Sequence, residues 1–425
     1  MKSNRNVLVS VIFGQIAEFY DFFIFILFAD SLSNLFFVGT RYERLFKFFI
    51  LFGIGYVARP IGAIILSHFG DKYGRKRSLT YSVGVAGIAT ILVGCLPTYS
   101  TIGIYAPIFL LLARIIQGVA LGCDLAGSVA IVYENSDVKR STLPTAVLHT
   151  GLSSGVILAT IVFITISSSF VNGTIFSSWR SAFFLGGLLS FFALYMRLSI
   201  HESEIFHIFK KNSNLVSYPF FYLIFFKFTS LLKGIGLGFF IMSILVFYVL
   251  LPEMLYLFYG FKKHFVFFIV NFSCIISITI TIFSGYIIDK YKLNKTFIFS
   301  AGCIVLILTT PAISYFIFYS NNIAFVIAYI IFGIINGVNC SCYFSLTAEL
   351  FDPYIRFTGL SISFSTAIIF GGASVPLIAN YLISKTYPTY VITATVILSI
   401  IISLLAVLWI YFSSAKHKTG NNEIL

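Results

Sequence analysis

Charge is what this chain has least of. Of its 425 residues, 10% are Asp, Glu, Lys or Arg, where a water-soluble domain carries about 25%. Hydrophobic residues make up 59% and the mean hydropathy is +0.98. So few charges in so much apolar surface require lipid as the solvent. Cysteine is sparse too: six residues, at 95, 123, 274, 303, 340 and 342, all inside apolar runs. No Cys-x-x-Cys occurs and Cys340 and Cys342 stand only two apart, so neither a disulfide framework nor a metal site is expected, and the six read as small core residues. There is no nucleophile–histidine pair and no His-rich metal spacing. No cofactor is expected, and no enzyme. The net charge of +13 is spread over many loops. It therefore reads as topology and attraction for anionic lipid, and nucleic acid is not an expected partner. The first apolar run holds Glu18 and Asp21 and lacks a small-residue cleavage site, which predicts a retained span rather than a signal peptide.

What the chain does have is apolar length. A membrane span needs roughly 20 apolar residues, and twelve segments qualify: 7–29, 47–69, 80–97, 104–133, 143–168, 181–199, 231–258, 264–288, 296–318, 323–347, 357–384 and 389–413. Backbone groups in lipid must bond within their own segment, so each is predicted to be a helix. The 104–133 segment is long enough to be tilted or to extend past the membrane. Alternating the loops between two sides places 17 lysines and arginines on one and 7 on the other, counting Arg197 with the loops. That bias predicts both termini in the cytoplasm. The longest polar stretch, His201–Ser217, reads as a linker, and Pro219–Lys233 as an amphipathic piece on the inner surface. The domain reading is 1–199, a linker 200–230, 231–413, and a short tail 414–425.

The two halves repeat. Asp71-Lys72-Tyr73 returns as Asp289-Lys290-Tyr291, Glu134 as Glu349, and Arg140 as Arg356, all at nearly one offset. Two six-helix bundles related by an axis along the membrane normal would produce this. The second copy is degraded, with Lys292-Leu293-Asn294 where Gly74-Arg75-Lys76 predicts Gly-Arg-Lys. The fold class read from these features is an all-α integral membrane protein, twelve transmembrane helices in two pseudo-symmetric bundles.

The most charge-dense break between apolar runs is Gly70-Asp71-Lys72-Tyr73-Gly74-Arg75-Lys76, followed by Arg77. It resembles the loop signature between the second and third helices of the major facilitator superfamily. Ala58-Arg59-Pro60-Ile61-Gly62, Arg114-Ile115-Ile116-Gln117-Gly118 and Leu121-Gly122-Cys123-Asp124 are similar to the metabolite:proton symporter branch, which includes proline/betaine, 2-oxoglutarate, citrate and shikimate carriers. The likeness spans nearly the whole chain and is strongest in its first half. It departs at Asp124, usually Glu, at Cys123, usually Gly, and at Ser67, which replaces the first loop glycine. The resemblance implies a bacterial inner-membrane carrier that takes up a small solute with a proton by alternating access, with no oligomer required. A proline/betaine-like zwitterion is expected first and a di- or tricarboxylate second, with a transporter-shaped receptor as the rival class. The drug-antiporter signature is absent after Gly151, which counts against efflux. Only about a dozen polar residues follow Phe412, so osmosensing through a long C-terminal coiled coil is not expected.

Candidate site residues follow from the cost of charge in lipid, about 3 kcal/mol or more each. Glu18 and Asp21 are three apart on one helix face and must meet water, a cation or a proton. With Asp124 they are the candidates for proton coupling; the structural alternative is pairing with Arg59 or Arg114. Arg59, Arg114, Gln117 and Tyr20 are candidate solute ligands in the first half. In the second half the polar candidates are Tyr248, Glu253, Asn336, Asn339 and Tyr343, of which Tyr248, Asn336 and Asn339 are carried as ligands, since amide and aromatic groups suit an ammonium. Gating is assigned to Gly70, Asp71, Gly74, Arg75, Lys76, Glu134, Arg140, Asp289, Glu349 and Arg356. Asp71 is expected to cap a helix of the other half, and Arg75 to pair with Glu134. Gly151/Gly155 and Gly371-Gly372 are read as close-packing positions.

Overall fold

Among the described residues the long apolar runs fold as helix, as lipid requires. A computed structural model describes residues 2–137, 140–167, 179–200, 202, 206, 208, 216, 218–252, 255, 261–319, 322–370 and 388–420. Glu253, Lys139, Gly371-Gly372, most of the linker and the far part of 357–384 lie outside these residues. Among the described residues there is no strand. The helices of the first half are α1 (Lys2–Leu27), α2 (Ala29–Phe36), α3 (Arg41–Val57), α4 (Arg59–Tyr73), α5 (Arg75–Cys95), α6 (Tyr99–Ile102), α7 (Tyr105–Leu121), α8 (Asp124–Glu134), α9 (Thr142–Ser167) and α10 (Trp179–Leu198). Then come α11 (Pro219–Phe226), α12 (Phe228–Leu245), α13 (Lys263–Tyr291), α14 (Lys295–Tyr319), α15 (Asn322–Glu349), α16 (Arg356–Ile368) and α17 (Pro388–Gly420). Among the described residues, eleven stretches are long and apolar enough to cross a membrane, with α3–α4 and α7–α8 each counted as one. The twelfth expected span begins with α16.

Three expectations change here. The 104–133 segment is not one tilted helix but breaks between Leu121 and Asp124. Pro219–Lys233 is not one amphipathic piece, because α11 ends at Phe226 and α12 starts at Phe228. The final helix also runs on to Gly420, past the expected start of the tail.

The second span breaks at Ala58, where Pro60 sits at the second position of α4 and lacks the N–H that would continue the ladder. At the break of the fourth span, Gly122 N–H turns back to the Val119 carbonyl, 3.3 Å. The carbonyl of Gly122 accepts Ser365 Oγ from α16 at 2.8 Å. The two broken spans lie against each other. A Cβ at Gly62 would overlap the Val119 carbonyl, and one at Gly122 the Arg59 carbonyl. Without a hydrophobic drive between helices in lipid, such backbone-to-backbone contact holds them together. Gly151 and Gly155 do the same for α9 against α1, where an added Cβ would stand 2.9 Å from the Ile12 carbonyl and 2.8 Å from that of Ile16.

Candidate functional site

The breaks bring charged side chains from three spans to one small cavity of about 30 Å³, walled by Glu18, Asp21 and Phe22 of α1, Phe52 and Tyr56 of α3, Arg59 of α4, and Arg114 and Gln117 of α7. It has room for a water molecule or two and is far below the ~300 Å³ of a small-molecule site, so its walls are closed on one another. Arg59 Nη1 donates to Glu18 Oε1 at 2.9 Å, and its guanidinium lies 4.8 Å above the Tyr56 ring. Asp21 collects three donors: Arg114 Nη1 at 2.9 Å and Gln117 Nε2 at 2.6 Å on one oxygen, Thr90 Oγ at 2.9 Å on the other. Arg114 stacks 3.5 Å from the Phe25 ring centre. Two carboxylates and two guanidiniums thus balance, as buried charge must. Three atoms are left over. Glu18 Oε2 and Arg114 Nε and Nη2 are buried with no hydrogen-bond partner.

The other candidates for solute binding and proton coupling lie elsewhere. Tyr20 is fully buried and donates to the Ala182 carbonyl of α10 at 2.9 Å. Asp124, also without exposure, is bidentate with Arg197 at 2.5 and 2.9 Å and accepts from Gln15 Nε2 at 3.1 Å and Ser82 Oγ at 3.0 Å. The helix break turns it away from Gln117, whose face a continuous helix would share. Tyr248 Oη meets Ser273 Oγ at 3.3 Å, and Asn336 Nδ2 donates to Ser277 Oγ at 3.1 Å. Asn339 is packed against Gly302, and Tyr343 lies among Phe240, Phe299 and Phe364. These four sit inside the second bundle and none walls the cavity.

A second constellation closes the charged face of the molecule. Asp71 Oδ2 accepts the Thr358 N–H at 2.9 Å and its Oγ at 2.7 Å, on the first turn of α16. Asp289 repeats the contact in the opposite direction, accepting the N–H groups of Thr142 and Leu143 at 3.2 and 2.8 Å where α9 begins. Arg75 Nη2 donates to Glu134 Oε1 at 3.1 Å and to the Pro353 carbonyl at 2.6 Å. Arg356 meets the same Glu134 oxygen at 3.2 Å, so Glu134 ties the halves together. Its counterpart Glu349 pairs with Lys295 of its own half. Lys295 opens α14 as Arg75 opens α5, so the repeat keeps its cation two residues late. Gly70 lies under the Phe357 ring, which leaves no space for a Cβ; Gly74 has φ +117°, where only glycine is unstrained. Lys76 Nζ donates to the Leu198 carbonyl at 2.8 Å. Ser67 Oγ reaches Thr358 Oγ at 3.2 Å. Arg140 is exposed and, among the described residues, forms no ion pair.

Sequence reasoning missed Arg197, Thr90, Thr358 and the Pro353 carbonyl. It counted Arg197 with the loop cations, yet Arg197 has no exposure. The signal was its position inside the sixth apolar run. The backbone acceptor and the hydroxyls carry no signal in sequence.

Two broken spans around a charged cavity, with mirrored caps across a pseudo-symmetric seam, define a membrane carrier. The family model described as Major Facilitator Superfamily matches residues 11–367, and the chain belongs to that superfamily. Its fold is the twelve-helix, two-bundle fold of these transporters, and it is a multi-pass membrane protein, not an enzyme. It is 30% identical over 405 residues to the inner membrane metabolite transport protein YhjE of Escherichia coli K12, covering 90% of this chain and 88% of that one. It is 28% identical over 430 residues to a putative proline/betaine transporter of Staphylococcus aureus MSSA476, covering 97% and 90%. Among solved structures it is similar to the proton:xylose symporter XylE bound to 6-bromo-6-deoxy-D-glucose, with TM-score 0.75, 14% identity, and 96% and 95% of the two chains covered.

Proposed function

We propose that the chain takes up a small zwitterion of the proline/betaine kind together with a proton, by alternating access, with both termini in the cytoplasm. The observation that carries this reading is Glu18. It is buried at 5% exposure, held on one oxygen by Arg59 and bare on the other, in the cavity wall. A proton on Oε2 neutralises the carboxylate without first breaking the bond on Oε1. The neutral acid then holds Arg59 less tightly, and α4 is free to move from α1. The mirrored caps at Asp71 and Asp289 support the switch, since both would open together when the bundles rock. Asp21, with its three donors, supports a positioning role beside Glu18. The relative's name, putative proline/betaine transporter, supports the solute class.

A second reading, a di- or tricarboxylate, is favoured by the two guanidiniums in the cavity wall. Charge separates them. A zwitterion with one proton carries +1 inward, which an inside-negative potential drives by about 2.3 kcal/mol per 100 mV, roughly fiftyfold in accumulation. A dianion with one proton carries −1 and is opposed. Proteoliposomes given an inward proton gradient, with and without a potassium–valinomycin potential, test this with betaine and 2-oxoglutarate. Betaine accumulation raised by the potential is expected. Betaine binding without accumulation under any gradient would make the chain a receptor and refute the transport reading.

A further inference from the structure

The cavity contains more aromatic surface and more guanidinium than its own ion pairs use, and the surplus has a pattern. Arg59 covers the face of Tyr56 and Arg114 that of Phe25. The rings left in the wall are Phe22 and Phe52, with centroids 5.4 Å apart and planes tilted by 36°. Glu18 with its bare Oε2 belongs to the same wall. Two aromatic faces bind a cation that cannot donate hydrogen bonds, since the attraction is to the ring quadrupole and needs no directed N–H, whether or not Glu18 carries the coupled proton. Arg114 offers the opposite chemistry. Its Nη1 is spent on Asp21, while Nε and Nη2, one edge of the guanidinium fork, are buried without partners at 6% exposure. Such an edge suits both oxygens of one carboxylate, and a buried donor left bare is costly.

Resting on the reading above, we propose that the two ends of the zwitterion are divided between these groups: the carboxylate takes the Nε–Nη2 edge of Arg114, and a fully methylated ammonium lies against Phe22 and Phe52 beside Glu18. Arg59, whose partner is Glu18, then contacts no solute. The solute class is a short betaine, one carboxylate and one quaternary ammonium separated by a carbon or two, and the cavity opens to admit it by parting α3 from α1.

Three probes of similar size test the division: glycine betaine, 3,3-dimethylbutanoate, which replaces the quaternary nitrogen by carbon, and choline, which replaces the carboxylate by an alcohol. Binding to the purified full chain is measured by titration calorimetry. Phe52→Leu is expected to weaken betaine about threefold to thirtyfold and to leave 3,3-dimethylbutanoate unchanged. Arg114→Gln is expected to weaken betaine at least about thirtyfold and not to weaken choline, since the charge it removes is a cation paired with Asp21. Because the readout is a ratio between probes on one protein sample, loss of folded protein lowers both and leaves the ratio intact. Equal weakening of betaine and 3,3-dimethylbutanoate by Phe52→Leu, or of betaine and choline by Arg114→Gln, would overturn the assignment. Wild-type binding of 2-oxoglutarate with none of the three probes would overturn it too, and would leave proton coupling at Glu18 standing. The reverse result, the expected ratios without pH-driven accumulation, would uphold the assignment and refute the transport reading.

Discussion

Asp71→Asn isolates what a single negative charge contributes to closing the charged face. The wild-type carboxylate accepts two bonds on one oxygen, at 2.9 and 2.7 Å, from the first turn of α16. Its other oxygen lies 3.5 Å from Arg75. The asparagine keeps an acceptor of the same size in the same place. What goes is the charge, and charge-assisted bonds are roughly twice as strong as neutral ones. With about 1.5–3 kcal/mol for each charged bond and about 0.5–1.5 for each neutral one, the substitution costs the closed state about 2 kcal/mol. That is close to a thirtyfold shift toward opening. Ser365 reports it, because it is buried at 2% and bonds across the seam to Gly122. With the six native cysteines replaced, Ser365→Cys is expected to react with a small maleimide some thirtyfold faster in the Asp71→Asn protein. Asp289→Asn is expected to give a smaller gain, near fivefold, since one of its two bonds is longer and Glu349 does not reach across the seam. An Asp71→Asn protein labelled at the parent rate, or one outpaced by Asp289→Asn, would refute the charge argument.

Glu18→Gln keeps the Arg59 contact in shape but has no site for a titrating proton; accumulation driven by a pH gradient is expected to vanish while solute counterflow persists, and wild-type accumulation would end the coupling proposal. Arg197→Met strands the Asp124 carboxylate without exposure, which costs about 3–5 kcal/mol. Its melting midpoint in detergent is expected to fall well below that of the Asp124→Leu/Arg197→Met double variant, and equal midpoints would count against a buried pair. The Lys227–Asp352 bridge, 2.9 Å, lies outside the spans. Burial alone would raise the Asp352 carboxyl, but the hydrogen bonds from Lys227 and Tyr354 outweigh it and hold it below its ordinary value. The same bond from Asp352 holds Lys227 above its own, against a smaller opposing effect of burial. A depressed acid stabilises above its unfolded pKa and loses that contribution as pH falls; a raised base loses its contribution as pH climbs past the lysine range. With the side chains about 40% exposed, the whole effect stays under about 1 kcal/mol. Asp352→Asn is expected to flatten the acid limb of stability between pH 5 and 3 by that amount, and an unchanged limb would show the bridge to be idle.

How much of this was legible depended on the distance between partners in sequence. The Asp71 contact could be anticipated because a carboxylate at a short loop beside the seam has a helix start opposite it in a duplicated bundle. The duplication itself was visible in Asp289, Glu349 and Arg356. Arg75 and Glu134 sit at the ends of neighbouring spans on one face, so charge alone suggested their pairing. Arg197 was not legible in the same way. Its partner is 73 residues away, and the local signal, a place two residues inside the end of the sixth apolar run, says that the cation is in the span but not what it meets there. The breaks were half legible. Arg59-Pro60 announces one, whereas the turn at Gly122 looks like any glycine in an apolar run until Gly62 and Ala63 are seen pressed against it. The register of the second-half loop misled because it was compared position by position; measured from the start of the following helix, Lys295 stands where Arg75 does.

The breaks also tie the two constellations to each other. Arg59 is the first residue of α4 and Asp71 lies near its end, about 18 Å along the axis. Asp124 is the first residue of α8 and Glu134 its last, about 15 Å away. Each short rod therefore has its first residue at a break, Arg59 beside the cavity and Asp124 in its clamp with Arg197, and a cross-seam contact at its far end. A continuous helix would spread a displacement at Arg59 over the whole span, as curvature. A rod that starts at a break pivots instead, and a tilt set at one end appears undiminished at the other. On this geometry, restoring continuity should uncouple the ends without touching either. Pro60→Ala removes the cause of the break at Ala58 while leaving Glu18, Arg59, Asp71 and Thr358 in place. The expected result is betaine binding close to the parent protein, with Ser365→Cys labelling that no longer responds to the solute. A labelling response as large as the parent's would show that the break carries no motion between cavity and seam.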